Sequence, residues 1–408
     1  MHQKFVAVST AINSRKTVAV IILVSSSLAW SFFILYAYDF IFKSFTNDIL
    51  WVYVGEAIFL SSATVSAIVG SLIGGKVNRE KFLVVWITLG ILASIFPAVF
   101  PETIFNLSSV LFGISIGLGY PCFTAYFADC TKIEERARVS GIVILVTFLL
   151  VGFTAAAASV LKIGLLGFVL ISLFLRSISY LALKFDQCKR EFGKDKSWLA
   201  ILTQRNFALY LFPWLMVCIG SSLTAFVWTG LGSEYNTATN IGNIFHYLGA
   251  GVSGLFAGIA ADRLGRKQPI IMGLVTLGVS FAIMGLFSSP FAFAVYLALS
   301  GVAWGFLMVL YLTIPGDLSA SGSREKYYAL GIVIPLIIFM GLPSVANLLK
   351  ISIPANALTN GLSIILFVSV IPVYYASETL SDARMNERKM LEHVEKVEKV
   401  VQESKKHP

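Results

Sequence analysis

Charge is what this sequence most lacks. Only 13% of its 408 residues are charged, against roughly 25% in an average soluble domain. An ordinary water-facing globule is excluded. Cysteine is scarce too: Cys122, Cys130, Cys188 and Cys218 show no CxxC spacing and no neighbouring histidine pair, which argues against a metal site or a disulfide framework. There is no Walker A string, so this chain has no visible means of using ATP. No H-E-x-x-H or Ser-His-Asp arrangement occurs. A membrane-embedded enzyme would need clustered His, Asp or Glu within its apolar runs, and none is present. No cofactor is implied. A cleavable signal peptide is also missing. The first long apolar run, Val18 to Tyr38, is followed by no A-x-A site and reads as a retained span.

What the chain has instead is apolar length. Hydrophobic residues make up 57% and mean hydropathy is +0.81. A helix needs about 20 mostly apolar residues to cross about 30 Å of hydrocarbon. Twelve such runs are predicted, over 17–40, 49–75, 82–100, 103–128, 139–161, 163–184, 207–232, 241–261, 269–288, 290–314, 327–349 and 354–376. The fold class is an all-α membrane protein of twelve helices. The net charge of +9 reflects the positive-inside rule rather than nucleic acid as a partner. One set of connecting segments, together with both termini, holds 27 of the 31 Lys and Arg residues. The opposite loops hold Lys43, Lys162 and Lys350, and Arg176 lies inside the sixth run, where its side chain could snorkel to the cytosol. Both termini are therefore expected in the cytoplasm of a multi-pass cell-membrane protein, with the lipid bilayer as its solvent.

A shift of 188 residues superimposes the chain on itself. Gly70 meets Gly258, Arg79 meets Lys267, Gly113 and Gly117 meet Gly301 and Gly305, Asp129 meets Asp317, and Arg136 meets Arg324. This is the mark of a duplicated six-helix unit. The expected organisation is a bundle over 1–184, a charged cytoplasmic linker over 185–206, a second bundle over 207–378 and a tail over 379–408. In the tail, Met390, Val394, Val397 and Val401 recur at helical spacing.

Between the eighth and ninth runs stands Gly258-Ile-Ala-Ala-Asp262-Arg263-Leu-Gly265-Arg266-Lys267. Gly258 suits a close helix approach, Gly265 a tight turn, and Arg263, Arg266 and Lys267 hold the loop on the basic side. The string resembles the loop signature G-x-x-x-D-R-x-G-R-K/R of the major facilitator superfamily. The resemblance implies a carrier working by alternating access between two six-helix bundles, with a small-molecule solute as partner and a monomeric state. It also implies that Asp262 engages the start of the fifth helix, near Ser140 and Gly141, and helps latch the inner side. In the first half the acid's place is taken by Gly74, with Lys76 and Arg79 retained. A second constellation, Asp129, Glu134, Glu135, Arg136, Arg138 and Gly141, is repeated as Asp317, Arg324 and Gly331 and resembles the family's acid–Arg–Gly pattern. Its charges either pair across an inner gate or stand as exposed pairs contributing little. The Ser377-Glu378-Thr379 triplet is only a faint echo of a P-E-T motif.

Two ionisable groups lie within apolar runs, Glu56 in the second and His246 in the eighth. They are expected as a proton-sensitive pair, as residues facing outer vestibule water, or as groups hydrogen-bonded within their own halves. In the family the first, fourth, seventh and tenth helices line the cavity. Carried over, candidate solute contacts are Trp30, Phe33 and Tyr36; Thr124 and Tyr126; Trp214, Ser221, Thr224 and Trp228; Trp304 and Tyr311. The alternative for each is plain packing. Such a lining suits a small amphipathic or weakly polar solute. The second class of function that fits is a non-transporting membrane sensor or scaffold on the same fold.

Overall fold

The computed structural model describes residues 15–45, 48–99, 105–161, 164–185, 193, 195–224, 226–227, 231–348 and 354–380, with 390 and 397. The tail helix expected beyond Leu380 lies outside the described residues apart from those last two positions. Among the described residues, twelve helices are long and apolar enough to cross a membrane. They are α1 (Arg15–Phe45), α2 (Ile49–Ile73), α3 (Arg79–Val99), α4 (Phe105–Cys130), α5 (Arg136–Leu161), α6 (Leu165–Ala182), α7 (Arg205–Leu223), α8 (Asn236–Leu264), α9 (Lys267–Leu286) and α10 (Pro290–Leu318). Helix α11 runs through Arg324–Tyr328, a π turn at Ala329–Val333, and Ile334–Leu348; α12 joins Ala355–Val368 to Val370–Tyr375.

The helices pack as two six-helix bundles. In the first, α2 lies on α4, α1 on α5 and α6, and α3 on α6; in the second, α8 lies on α10, α9 on α10 and α12, and α7 on α11. The repeated glycines explain the tightest crossings. A Cβ on Gly113 or Gly117 would come within 2.5 Å of Phe59 O or 2.1 Å of Ala63 O on α2. A Cβ on Gly301 or Gly305 would come within 2.3 Å of His246 O or Ala250 O on α8. The 188-residue offset thus places the same backbone contact at the same level of both bundles. Contacts between bundles run through α5 with α8 and α10, α2 with α11, and α4 with the start of α11. Large apolar side chains remain exposed on the perimeter, among them Phe153, Phe291 and Phe256. On a water-facing protein so much exposed apolar surface would mark an interaction site; here it is a surface for lipid.

Two expectations need correction. Cys130 is disulfide-bonded, with its partner outside the described residues, while Cys122 and Cys218 are free and buried. Cysteine spacing along the chain says nothing about Cα atoms brought together by the fold, and it is that distance which permits a bridge. Arg176 does not snorkel. It is fully buried, with its guanidinium 3.8 Å from the Trp86 ring centroid and 4.7 Å from that of Trp30. Its Nη2 donates to Trp86 O at 2.9 Å and its Nη1 faces Ser27 Oγ at 3.5 Å. Two aromatic faces and a carbonyl replace water around the cation.

Candidate functional site: an ion-pair network on the basic face

Helix α8 ends where its sequence changes character. At Gly265 the backbone adopts φ +86°, the one positive φ among the described glycines, with ψ 169°. This conformation is open essentially to glycine alone. The turn aims the backbone N–H groups of Arg266 and Lys267 at the Glu378 carboxylate, at 2.8 and 3.3 Å. An acid at a helix N-terminus satisfies orphan donors and complements the dipole. Gly265→Ala is therefore expected to cost about 1–3 kcal/mol through the strained backbone, and its Cβ would also lie 2.4 Å from Glu378 Oε2. A fall in melting temperature in detergent relative to the parent is the check.

The turn also sets Asp262 and Arg266 facing inward. Asp262 is buried; its Oδ1 accepts from Arg266 Nη1 at 2.7 Å and its Oδ2 from the Arg138 backbone N–H at 3.0 Å. The carboxylate thus sits on the first turn of α5, two residues before Ser140. Gly258 permits this closeness: a Cβ there would lie 2.3 Å from Ala137 O. Arg266 reaches onward. Its Nε donates to Asp317 Oδ2 at 3.1 Å and its Nη2 to Ile133 O at 2.5 Å. Burial works to discharge its guanidinium, but Asp317 and then Asp262 outweigh it and hold the group above its ordinary pKa.

Asp317, at the C-terminal end of α10, takes a second cation. Arg136 Nη1 donates to its Oδ1 at 2.6 Å, and Thr379 Oγ1 donates to its Oδ2 at 3.2 Å. Arg136 Nη2 meanwhile donates to Ala128 O and Thr131 O, both at 2.9 Å, closing the C-terminal end of α4. The pseudo-equivalent acid, Asp129, pairs with Arg324 and with Arg79. Arg79 also lies 3.5 Å from Glu325 and over the Tyr126 ring. Each half thus lends an arginine to the other: Arg136 of the first half goes to Asp317 of the second, and Arg324 of the second goes to Asp129 of the first. Each acid then takes one arginine from its own half, Arg266 or Arg79.

Sequence patterns brought out Asp129, Arg136, Asp262, Arg266, Asp317 and Arg324, and the structure gathers all six here. Of the others in the string, Arg263 pairs with no described acid of the cluster, and Lys267 Nζ turns away to Tyr374 O at 2.6 Å. Glu378, Thr379, Arg79 and Glu325 are additions. The Ser377-Glu378-Thr379 triplet was the visible trace of the first two. At Gly74 there is no place for an acid, since a Cβ would lie 2.2 Å from Cys122 Sγ; Arg79 reaching Glu325 ties the halves together there instead.

Between the bundles lies a cavity of about 130 Å³, walled by Leu28, Phe32 and Leu35 of α1, Ile116 of α4, and Leu336, Ile337, Phe339 and Met340 of α11, with Ser31 and Tyr120 among its lining. None of the candidate solute contacts is among its lining residues; the Trp304 ring lies 5.3 Å from that of Phe339, one of its walls. Trp30 faces into its own bundle, where Nε1 donates to Ser172 Oγ at 2.9 Å, and Phe33 stacks on Phe168. Thr124 spends its hydroxyl on Tyr120 O at 2.7 Å, and Tyr126 belongs to the ion-pair network. Trp214 and Tyr311 stack on each other at 4.5 Å, and Thr224 bonds Ser221 O. Trp228 and the Tyr36 side chain lie outside the described residues. Glu56 and His246 are not brought together as a pair. Glu56 rides on α2, against α4 and α11, whereas α8 lies against α10 and α5. His246 Nδ1 is 3.2 Å from Leu297 O and 3.1 Å from Ser300 Oγ, both on α10.

No protein-family model matches the sequence, and no curated protein matches it. Solved structures do. The human organic anion transporter MFSD10 is similar at a TM-score of 0.69 and 13% identity, over 88% of this chain and 99% of that one. The major facilitator superfamily proton:xylose symporter XylE is similar at 0.67 and 12% identity, over 91% and 97%. The chain has the major facilitator superfamily fold, in a multi-pass membrane protein.

Proposed function

We propose that this protein is a secondary transporter that carries a small solute across the membrane by alternating access, and that the network described above is its inner gate in the closed state. The observation that carries this reading is the exchange of arginines between halves. A merely structural ion pair can sit within one bundle. These pairs cross the only boundary that must open on one side for a solute to leave, and they do so at two pseudo-equivalent places. The bundles 1–184 and 207–378 are the two moving bodies, the segment 185–206 tethers them, and both termini are cytoplasmic because the basic loops are. The carrier works as a monomer. Glu56 and His246 act, if the carrier is proton-coupled, as separate titratable groups. A non-transporting sensor or scaffold on the same fold is the alternative; the half without the acid is still tied across by Arg79 and Glu325, and the uptake experiment below separates the two.

Asp262→Asn tests the gate. Asp262 loses its charge against Arg266 and Arg138, and hydrogen bonds to charged groups contribute about 1.5–3 kcal/mol. In proteoliposomes a cysteine at Ser140, itself fully buried between α5 and α10, is expected to react with a membrane-impermeant thiol reagent from the inner side roughly tenfold faster than in the parent, as 1.4 kcal/mol implies. An unchanged rate would remove Asp262 from the gate. Uptake of a mixed metabolite pool, with and without a pH gradient, then separates carrier from sensor.

A further inference from the structure

On the flank opposite the basic loops, α5 and α8 part to leave a crevice of about 660 Å³ open to the perimeter. Gly152, Ala155 and Ala156 on α5 make the space, facing Asn240, Asn243 and Tyr247 on α8. Its outer wall is bilayer-facing: Phe153 is 74% exposed and Ile244 59%. Its inner wall is Phe148, only 6% exposed. The Phe148 ring stacks on Phe32 with centroids 5.9 Å apart and planes at 25°. Phe32 is at the same time a wall of the cavity between the bundles. Crevice and cavity are thus each walled by one ring of a stacked pair. Among the described residues, the lining of both spaces includes no Asp, Glu, Lys, Arg or His.

We propose that the solute of this carrier is an uncharged, largely apolar molecule of about one ring, which reaches the central cavity sideways from the outer half of the bilayer through the α5–α8 crevice, with Phe32 and Phe148 as the door. This rests on the transporter reading above and names its substrate class. A charged solute would have to leave water for walls that offer it no counter-charge, at a cost of several kcal/mol per ion even after relaxation. An apolar solute is already concentrated in the bilayer. The cavity's size fits the class, since apolar cavities of about 150 Å³ accept benzene. An acyl chain of a membrane lipid could lie in the crevice but not in a cavity of that size. The amides of Asn240 and Asn243 stand near the start of α8, where they give a weakly polar substituent a hydrogen-bonding partner at the mouth. Two aromatic rings can swing about χ1 and χ2 without breaking a backbone hydrogen bond, so the door can open while both bundles stay folded.

The test uses full-length protein in liposomes and 3-trifluoromethyl-3-phenyldiazirine, an uncharged one-ring photoprobe that partitions into bilayers, with labelled sites read by peptide mass spectrometry. In the parent, labels are expected at Tyr247 in the crevice and at Leu336 and Ile337 in the cavity. Gly152→Trp fills the crevice; a Cβ there meets nothing nearer than 3.5 Å, so the substitution has room. Cavity labelling should fall at least fivefold, while labelling of perimeter Phe256 and Phe291 stays constant and certifies the fold. Ala156→Trp, on the same wall, should do the same. Phe148→Ala should raise cavity labelling. Equal cavity labelling in parent and crevice-filled proteins would overturn the route. Labelled crevice with an unlabelled cavity in every protein would overturn it too, leaving a lipid groove. The reaction of a cysteine at Ser140, measured in the same liposomes with and without Asp262→Asn, reports the inner gate independently, so loss of the lateral route and loss of the transporter reading are told apart.

Discussion

Asp317→Ala is expected to leave the protein unable to keep its inner side shut. The Asp317 side chain is fully buried, and it holds Arg136 and Arg266, whose side chains are 3% and 0% exposed. Removing one partner from a buried pair costs about 3–5 kcal/mol, because the other charge stays buried without compensation. Here two cations are left so. Each keeps some contacts: Arg136 its carbonyls on α4, Arg266 its bond to Asp262. An effect at the lower end, about 3 kcal/mol, still corresponds to more than a hundredfold shift toward the open state. The rate at which a cysteine at Ser140 is modified from the inner side reads it directly. Asp129→Ala should shift the same rate less, since its partners Arg79 and Arg324 are 11% and 13% exposed and have water to fall back on. High salt should not reproduce either effect, because buried pairs are weakly screened. Equal effects of the two substitutions would show that burial is not what makes Asp317 the stronger latch.

The second large effect is expected inside the first bundle. Gly90 lies where the Arg176 side chain crosses α3; a Cβ there would be 2.2 Å from Nε and 3.0 Å from Cδ and Cζ. Gly90→Ala must push a charged group out of its place between Trp30 and Trp86 and away from Trp86 O. Overpacking alone costs about 1–3 kcal/mol, and a hydrogen bond to a charged group contributes another 1.5–3, so a loss of about 3 kcal/mol is expected as a lower melting temperature in detergent. Arg176→Met should be close to neutral, since exchanging a buried ionic group for an apolar side chain of similar volume often is. Combining the two should restore most of the stability, because the overlap is with the guanidinium end. A double variant as unstable as Gly90→Ala alone would place the strain elsewhere.

These two sites also show what could be read from sequence. The spans and the turn at Gly265 follow from local quantities, namely apolar length and a glycine between two basic residues. The acid–arginine repeat at an offset of 188 residues was legible because duplication writes the same residues twice. Partnership was less so. That Glu378 caps α9, or that Arg79 reaches Glu325, depends on how distant helices meet. Side-chain direction was hardest. In a span that is apolar on every side, composition does not distinguish the face that looks across to the other bundle from the face that packs within its own. Trp30 and Phe33 were therefore assigned to the cavity on their helix's membership alone, and the fold turns them toward α3 and α6. The cavity wall supplied by α11 was missed for the same reason.

The π turn at Ala329–Val333 has a mechanical meaning of its own. Its i→i+5 ring holds one residue more than an α-helical turn. Tightening that turn to ordinary α geometry would pass the surplus residue along the chain and rotate everything beyond it by about 100°. Leu336, Ile337, Phe339 and Met340 all stand beyond it on α11, while Arg324 and Glu325 stand before it, on the segment held by Asp129 and Arg79. One helix therefore carries a clamped end, a loose coil and a set of vanes. Winding the coil would exchange the side chains presented to the cavity without disturbing the clamp, so the walls around a solute can be redrawn while the inner seal holds.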